Sequence, residues 1–136
     1  MVVNKSRREM LLVAGGAVLR SYRVALGFAP DGHKRQEGDG RTPEGRYIID
    51  RRNPQSAYHL SLRISYPGPA DRLRAAESGV DPGGDIMIHG LPNGLAPADR
   101  GHPERDWTRG CIAVTDSEIE EIWRLVDDGT AVEINP

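Results

Sequence analysis

Cysteine is nearly absent from this sequence: Cys111 is the only one among 136 residues. A disulfide within one chain is thereby excluded, and the fold must be held by a buried core rather than by covalent staples. Lysine is scarce as well, with Lys5 and Lys34 the only two, so arginine carries the positive charge. The formal net charge is -2, which lacks the basic excess that a nucleic-acid surface requires. No apolar run reaches the length of a membrane span. The nearest imitation is NKSRRE followed by MLLVAGGAVL, a basic segment and then a short apolar one. Gly15-Gly16 breaks that run, and Arg20, Tyr22 and Arg23 stand where the small residues of a cleavage site belong. The pattern fits two strands joined by a glycine turn, and an export signal is not found in this stretch. Internal repeats and low-complexity tracts are missing too.

What is present suits one globular domain, residues 1–136, with 38% hydrophobic and 28% charged residues. Glu9 to Val13 and Val18 to Leu26 read as a hairpin. Arg46 to Asp50 follows the turn Thr42-Pro43-Glu44-Gly45, where proline presets φ and glycine supplies a positive one. From Tyr58 to Tyr66, the side chains Tyr58, Leu60, Leu62, Ile64 and Tyr66 share one face, and His59, Ser61, Arg63 and Ser65 the other. Asp85 to Ile88, Cys111 to Val114 and Ala131 to Ile134 are further short strands. Thr115-Asp116-Ser117-Glu118 has the spacing of a capping box, and Ile119, Ile122, Trp123 and Val126 follow at helical spacing. That predicts a helix from about Asp116 to Asp127 with Trp123 in the core. A second short helix falls within 70–78. Polar loops span 29–41, 67–84 and 92–109. The expected fold is mainly β with one or two short helices.

A lone cysteine is either a small buried hydrophobe or a nucleophile. The second role needs a base and hydrogen-bond donors for a developing oxyanion. His89 ends the strand DIMI, and Cys111 opens another strand after Thr108-Arg109-Gly110. A strand end holds a side chain more firmly than a loop does. A glycine before the cysteine lets the N–H groups of Gly110 and Cys111 turn toward an oxyanion. The chemical rival is zinc held by His89, His102 and Cys111. Those spacings match no compact ligand motif, and a fourth ligand is not evident.

Ile88-His89-Gly90, then a loop, then WTRGCIAV from Trp107 to Val114, resembles the active-site signature of the YkuD-type L,D-transpeptidases. RTPEGRY, Arg41 to Tyr47, resembles that family's Thr-Pro-x-Gly segment, and the N-terminal hairpin resembles its opening. Three motifs in order outweigh any one of them. The resemblance implies a β-sandwich-like domain with Cys111 as nucleophile, His89 as general base, and the Gly90 carbonyl orienting the imidazole. It also implies action on peptidoglycan stem peptides through a thioester, without cofactor or metal, by a monomer in the periplasm or cell envelope. The attacked amide follows the L-centre of meso-diaminopimelate, and D-alanine leaves. Gly110 N–H is the expected oxyanion donor. Trp107, Thr108, Arg109, His59 and Tyr66 form the expected substrate-binding set. Trp107 serves either as a groove wall or as a loop anchor, and His59 either borders the cleft or is solvated.

Two positions depart from the family. Arg109 replaces a histidine, and Ala113 an asparagine. Both bear on the partition between transfer and hydrolysis, so a hydrolase using the same cysteine and histidine is the alternative. A peptidoglycan-binding module without turnover is the alternative of another class. His102 is expected to be exposed, and the charged loop His33 to Arg41 to be solvated.

Overall fold

The computed structural model describes all residues, 1–136. Strand β1 (Val2–Asn4) leads through a 3-10 turn into the hairpin β2 (Glu9–Ala14) and β3 (Ala17–Arg23). The long β4 (Gly45–Ser56) and β5 (His59–Ile64) follow, then helix α1 (Pro69–Ser78) and strand β6 (Met87–His89). Helix α2 (Pro97–Arg100), strand β7 (Ile112–Ala113), helix α3 (Asp116–Leu125) and strand β8 (Ala131–Asn135) complete the chain. No helix is long and apolar enough to cross a membrane.

The eight strands form one mixed sheet in the order β3-β2-β1-β8-β4-β5-β6-β7. Its two ends then meet. Ala25, just past β3, exchanges backbone hydrogen bonds with Ala113 of β7 (3.0 and 2.9 Å), and Thr108 N–H donates to the Leu26 carbonyl (3.2 Å). The sheet thereby curls around its core as the β-sandwich expectation requires. Val24, Leu26, Ile49, Leu62, Ile64, Ile88, Ile112, Ile119 and Ile122 are fully buried in one continuous cluster. Closure also pairs the outer edge of β7, which would otherwise be open to another chain.

Helix α3 begins as its sequence dictates. Thr115 Oγ1 accepts from Glu118 N–H (3.3 Å), and Glu118 Oε1 accepts from Thr115 N–H (2.9 Å). Ile119 and Ile122 bury one stripe of the helix. Trp123 lies only partly buried at the core's edge, with the Arg52 guanidinium 4.6 Å above its ring. The aromatic face is thus covered by a cation rather than by the core.

Three differences from the sequence reading have local causes. There are three α-helices, because Pro97 opens a four-residue turn in the 92–109 loop and Asp99 accepts from Ala96 N–H (2.7 Å). β1 escapes a periodicity search because it is three residues long, and its parallel pairing with β8 is set by contacts across the whole chain. β4 runs past Asp50 to Ser56 through two register shifts, so its burial does not alternate cleanly.

The loop 33–41 is not simply solvated. Lys34 is buried and its ammonium donates to Asp39 Oδ1 (2.9 Å). His33 accepts from Glu44 N–H at Nδ1 (2.7 Å) and meets Asp71 at Nε2 (2.7 Å). Tyr47 donates to the other oxygen of Asp71 (2.9 Å). This buried network ties the loop to α1.

Candidate active site

Parallel pairing of β6 with β7 aligns Ile88 with Ile112 and His89 with Ala113. That register sets His89, the last residue of β6, and Cys111, the residue before β7, at the wall of one cleft of about 740 Å³. Trp107, Thr108, Arg109, Tyr58 and Asp85 line the same cleft.

Two glycines make the arrangement sterically possible. A Cβ on Gly90 would lie 2.6 Å from Asp116 Oδ1 and 3.1 Å from the Tyr58 carbonyl oxygen. The close approach lets Gly90 N–H donate to Tyr58 (3.0 Å) and Leu91 N–H to Asp116 (2.9 Å), which fixes the chain after His89. Gly110 has a φ of +140°, and a Cβ there would lie 2.8 Å from the Arg41 carbonyl oxygen. Any other residue would push the strand bearing the cysteine off its neighbour.

His89 is 3% exposed. Its Nδ1 lies 2.6 Å from the Gly90 carbonyl oxygen, an acceptor, so Nδ1 carries the proton and Nε2 is left with its lone pair. Nε2 has no protein partner, and the only buried side-chain polar atom without one is His102 Nε2, so His89 Nε2 keeps contact with solvent. Tyr58 stacks on the imidazole with ring centroids 4.3 Å apart, and Trp107 approaches within 5.8 Å. Burial, helped by His102 and only partly opposed by the Gly90 hydrogen bond, lowers the His89 pKa to about 4. The imidazole is neutral at neutral pH, as a proton acceptor must be.

Cys111 is half-buried. Its thiol donates to the Asp85 carbonyl (3.4 Å), and Met87 N–H points at the sulfur (3.4 Å). Burial raises the thiol pKa above its ordinary value, the Met87 N–H lowers it, Asp85 raises it and Lys34 lowers it. The resting pair is therefore thiol and neutral imidazole, with the thiol hydrogen-bonded away from the histidine.

The other expected residues separate into three groups. Trp107 and Arg109 are at the cleft, Trp107 anchored by its indole N–H to His102 Nδ1 (3.1 Å) and Arg109 exposed without an acidic partner. Thr108 lines the cleft too, but its hydroxyl is committed: it donates to the Cys111 carbonyl (2.7 Å) and accepts from Gly110 N–H (3.1 Å). Thr108 is a brace for the cysteine turn rather than a free contact. The same bond occupies the expected oxyanion donor of Gly110 and leaves Cys111 N–H, which has no protein acceptor. His59 and Tyr66 lie elsewhere. His59 pairs with Glu120 of α3 (2.9 Å), and Tyr66 is buried with its hydroxyl donating to the Pro82 carbonyl (2.7 Å).

His102 is buried, not exposed, because it packs edge-on against Trp107. No group of three His, Cys, Asp or Glu side chains is placed to hold a metal ion. Sequence reasoning missed Tyr58 as the stacking partner of His89, since it sat on the apolar side of an alternating strand. It also missed Asp116, whose capping-box position gave no hint of a bond to the Gly90–Leu91 backbone.

The family model of the YkuD L,D-transpeptidase catalytic domain matches residues 1–134. The chain belongs to that family. It is 30% identical over 111 residues to YafK of Escherichia coli (strain K12), which is provisionally named an L,D-transpeptidase; the match covers 80% of this chain and 37% of YafK. Among solved structures it superposes on the helical cell shape determining protein Pgp2 of Campylobacter jejuni with a TM-score of 0.74 at 26% identity. That match covers 98% of this chain and 46% of Pgp2. An L,D-transpeptidase of Mycobacterium smegmatis shares the fold at a TM-score of 0.64 and 14% identity, over 99% of this chain and 57% of the other. The chain thus spans less than half the length of YafK and of Pgp2. Within this L,D-transpeptidase domain, Arg109 sits at the open rim of the cleft, whereas Ala113 is fully buried where the sheet closes.

Proposed function

We propose that this domain cleaves an L,D-amide of peptidoglycan stem peptides through a thioester on Cys111 and passes the acyl group to an amine. The observation that carries the reading is the tautomer of His89. The Gly90 carbonyl oxygen accepts a hydrogen bond from Nδ1–H, which leaves Nε2 as the free imidazole nitrogen at the cleft that holds the thiol.

In the first step the Cys111 thiol turns from the Asp85 carbonyl and its proton passes to His89 Nε2. The sulfur attacks the carbonyl carbon after the L-centre of diaminopimelate, and the oxygen takes the negative charge. Cys111 N–H is the donor available to that oxygen. The tetrahedral intermediate collapses, His89 gives its proton to the leaving D-alanine nitrogen, and a thioester remains. An acceptor amine then loses its proton to His89 and displaces the sulfur, which regenerates the thiol. Neutral resting groups suit this sequence, because the ion pair forms only when substrate excludes water and the proton has somewhere to go. Such a substrate places the domain in the periplasm or cell envelope. Tethering Trp107 to His102 supports its role as a cleft wall.

Hydrolysis uses the same acyl-enzyme with water as acceptor. Incubation with a muropeptide, with and without an amine acceptor, followed by mass spectrometry of the products, separates the outcomes. Cross-linked or amine-exchanged product is expected. Release of D-alanine without exchange assigns a hydrolase, and no product at all assigns a binding module.

A further inference from the structure

A second cavity, of about 330 Å³, lies between the loop 29–41 and α1 and shares Lys34 with the lining of the cleft that holds the thiol. Its size falls at the lower end of small-ligand pockets. Ala29, Ala75 and Val80 give it an apolar part, and Arg35, Arg41 and Arg74 line it with positive charge.

Both carboxylates in its wall are already saturated from within the protein. Asp39 accepts from Lys34 Nζ (2.9 Å) and Arg41 N–H (3.1 Å) on one oxygen, and from Arg35 N–H (2.8 Å) and Gln36 N–H (3.1 Å) on the other. Asp71 accepts from Tyr47 (2.9 Å) and Gly68 N–H (2.9 Å) on one oxygen, and from His33 (2.7 Å) and Arg74 (2.7 Å) on the other. Lys34 and Arg74 are thus spoken for. The guanidinium groups of Arg35 and Arg41 make no hydrogen bond and no ion pair, although nine lysine or arginine side chains pair with carboxylates in the chain. Two forked donors beside a small apolar recess match a carboxylate carried on a short aliphatic group.

We infer that this cavity is a carboxylate-binding subsite, which grips the free C-terminal carboxylate of a peptidoglycan peptide while Arg35 and Arg41 supply the charge. The inference rests on the stem-peptide reading for the identity of its ligand.

The test uses the full chain with Cys111→Ala, so that binding is measured without turnover. Calorimetry compares a stem tetrapeptide bearing a free C-terminal carboxylate with the same peptide as its C-terminal amide. The acid is expected to bind at least about tenfold more tightly, the size of one charge-assisted hydrogen bond. Adding Arg35→Gln and Arg41→Gln should abolish the difference, and Ser78→Glu, an acid placed on the exposed rim, should abolish it with both arginines intact. Equal binding of acid and amide would overturn the inference, as would an acid preference that survives the double arginine change. Inorganic phosphate that displaces the acid only weakly supports a carboxylate site; displacement at equal concentration would overturn its assignment to peptide ends. Turnover is assayed separately with Cys111 present. Loss of the acid preference beside intact turnover discards the subsite alone, whereas an acid preference without turnover supports the subsite and discards the catalytic reading.

Discussion

Two histidines, His33 half-buried and His89 buried, occupy opposite kinds of site in this domain. His33 lies beside a carboxylate, with Nε2 against Asp71 and Nδ1 accepting from Glu44 N–H. His89 has no carboxylate partner, only the Gly90 carbonyl at Nδ1. By composition, the His33–Asp71 pair looks more like a catalytic dyad. Its chemistry is nonetheless closed, because both ring nitrogens are occupied and no nucleophile adjoins it. His89 keeps one nitrogen free in the cleft that contains the only thiol. A histidine's capacity to act as a base depends on which nitrogen remains unused.

The largest way to break this comparison is at the cleft. Cys111→Ala should lower turnover by at least about a thousandfold, since the proposed acyl-enzyme forms on its thiol. Measured stability should change little, because a half-buried small side chain is removed. His89→Ala should cost about 10²–10⁴-fold in kcat, the usual scale of a lost general base. His33→Ala should leave the rate of thiol alkylation unchanged while destabilising the fold by about 1–3 kcal/mol, because Glu44 N–H loses its acceptor and Asp71 Oδ1 keeps only Arg74. Turnover assays and denaturant melts on the three variants, with iodoacetamide kinetics on the two that keep Cys111, check these contrasts. A His33 variant that is stable but catalytically dead would reverse the assignment.

The two regions should also fail in different pH windows. The His89 pKa lies at about 4 in the fold and near 6.5 when unfolded, so below pH 6.5 the unfolded chain takes up a proton that folded His89 refuses. Its contribution, on the order of 3 kcal/mol, is complete above 6.5 and is lost as the pH falls toward 4. Burial would raise the Asp71 pKa, but hydrogen bonds from Gly68, His33 and Tyr47 outweigh it and hold the carboxyl below its ordinary 3.8. Its contribution therefore persists through that first window and is lost only at lower pH. Chemical denaturation from pH 7 to 3 should show the first decline flattened by His89→Gln and the second by Asp71→Asn. An unchanged first decline in His89→Gln would show that the imidazole is not held neutral by burial.

The smallest expected effect is at Arg109. Arg109→Gln should shift the pH profile of alkylation upward and lower kcat/KM by about tenfold or less, as expected of one exposed charge near a thiol. Movement of neither quantity would make Arg109 surface.

Most of this contrast was legible in the sequence on one side only. Cys111, His89 and Gly90 stood out because glycine and strand ends mark them, and the family resemblance joined them across the loop between. The capping box at Thr115 gave α3 its start. What stayed hidden depends on long-range pairing. Nothing local shows that Thr108 spends its hydroxyl on Gly110 N–H and the Cys111 carbonyl, nor that His102 is buried by Trp107. His59 and Tyr66 fall on opposite faces of an alternating strand, and alternation gives a face but not its neighbour. The loop 33–41 reads as solvated because charged residues usually are, and only its fold shows Asp39 capturing four donors.

The most direct test of the account is covalent capture. The protein is mixed with a stem tetrapeptide donor, quenched in acid within the first turnovers, and weighed intact by mass spectrometry before peptide mapping. The account predicts one added acyl group, the donor less its D-alanine, attached at Cys111, absent in Cys111→Ala and much slower to form in His89→Ala. Turnover of the donor by Cys111→Ala, or an acyl group mapped to another residue, would contradict it.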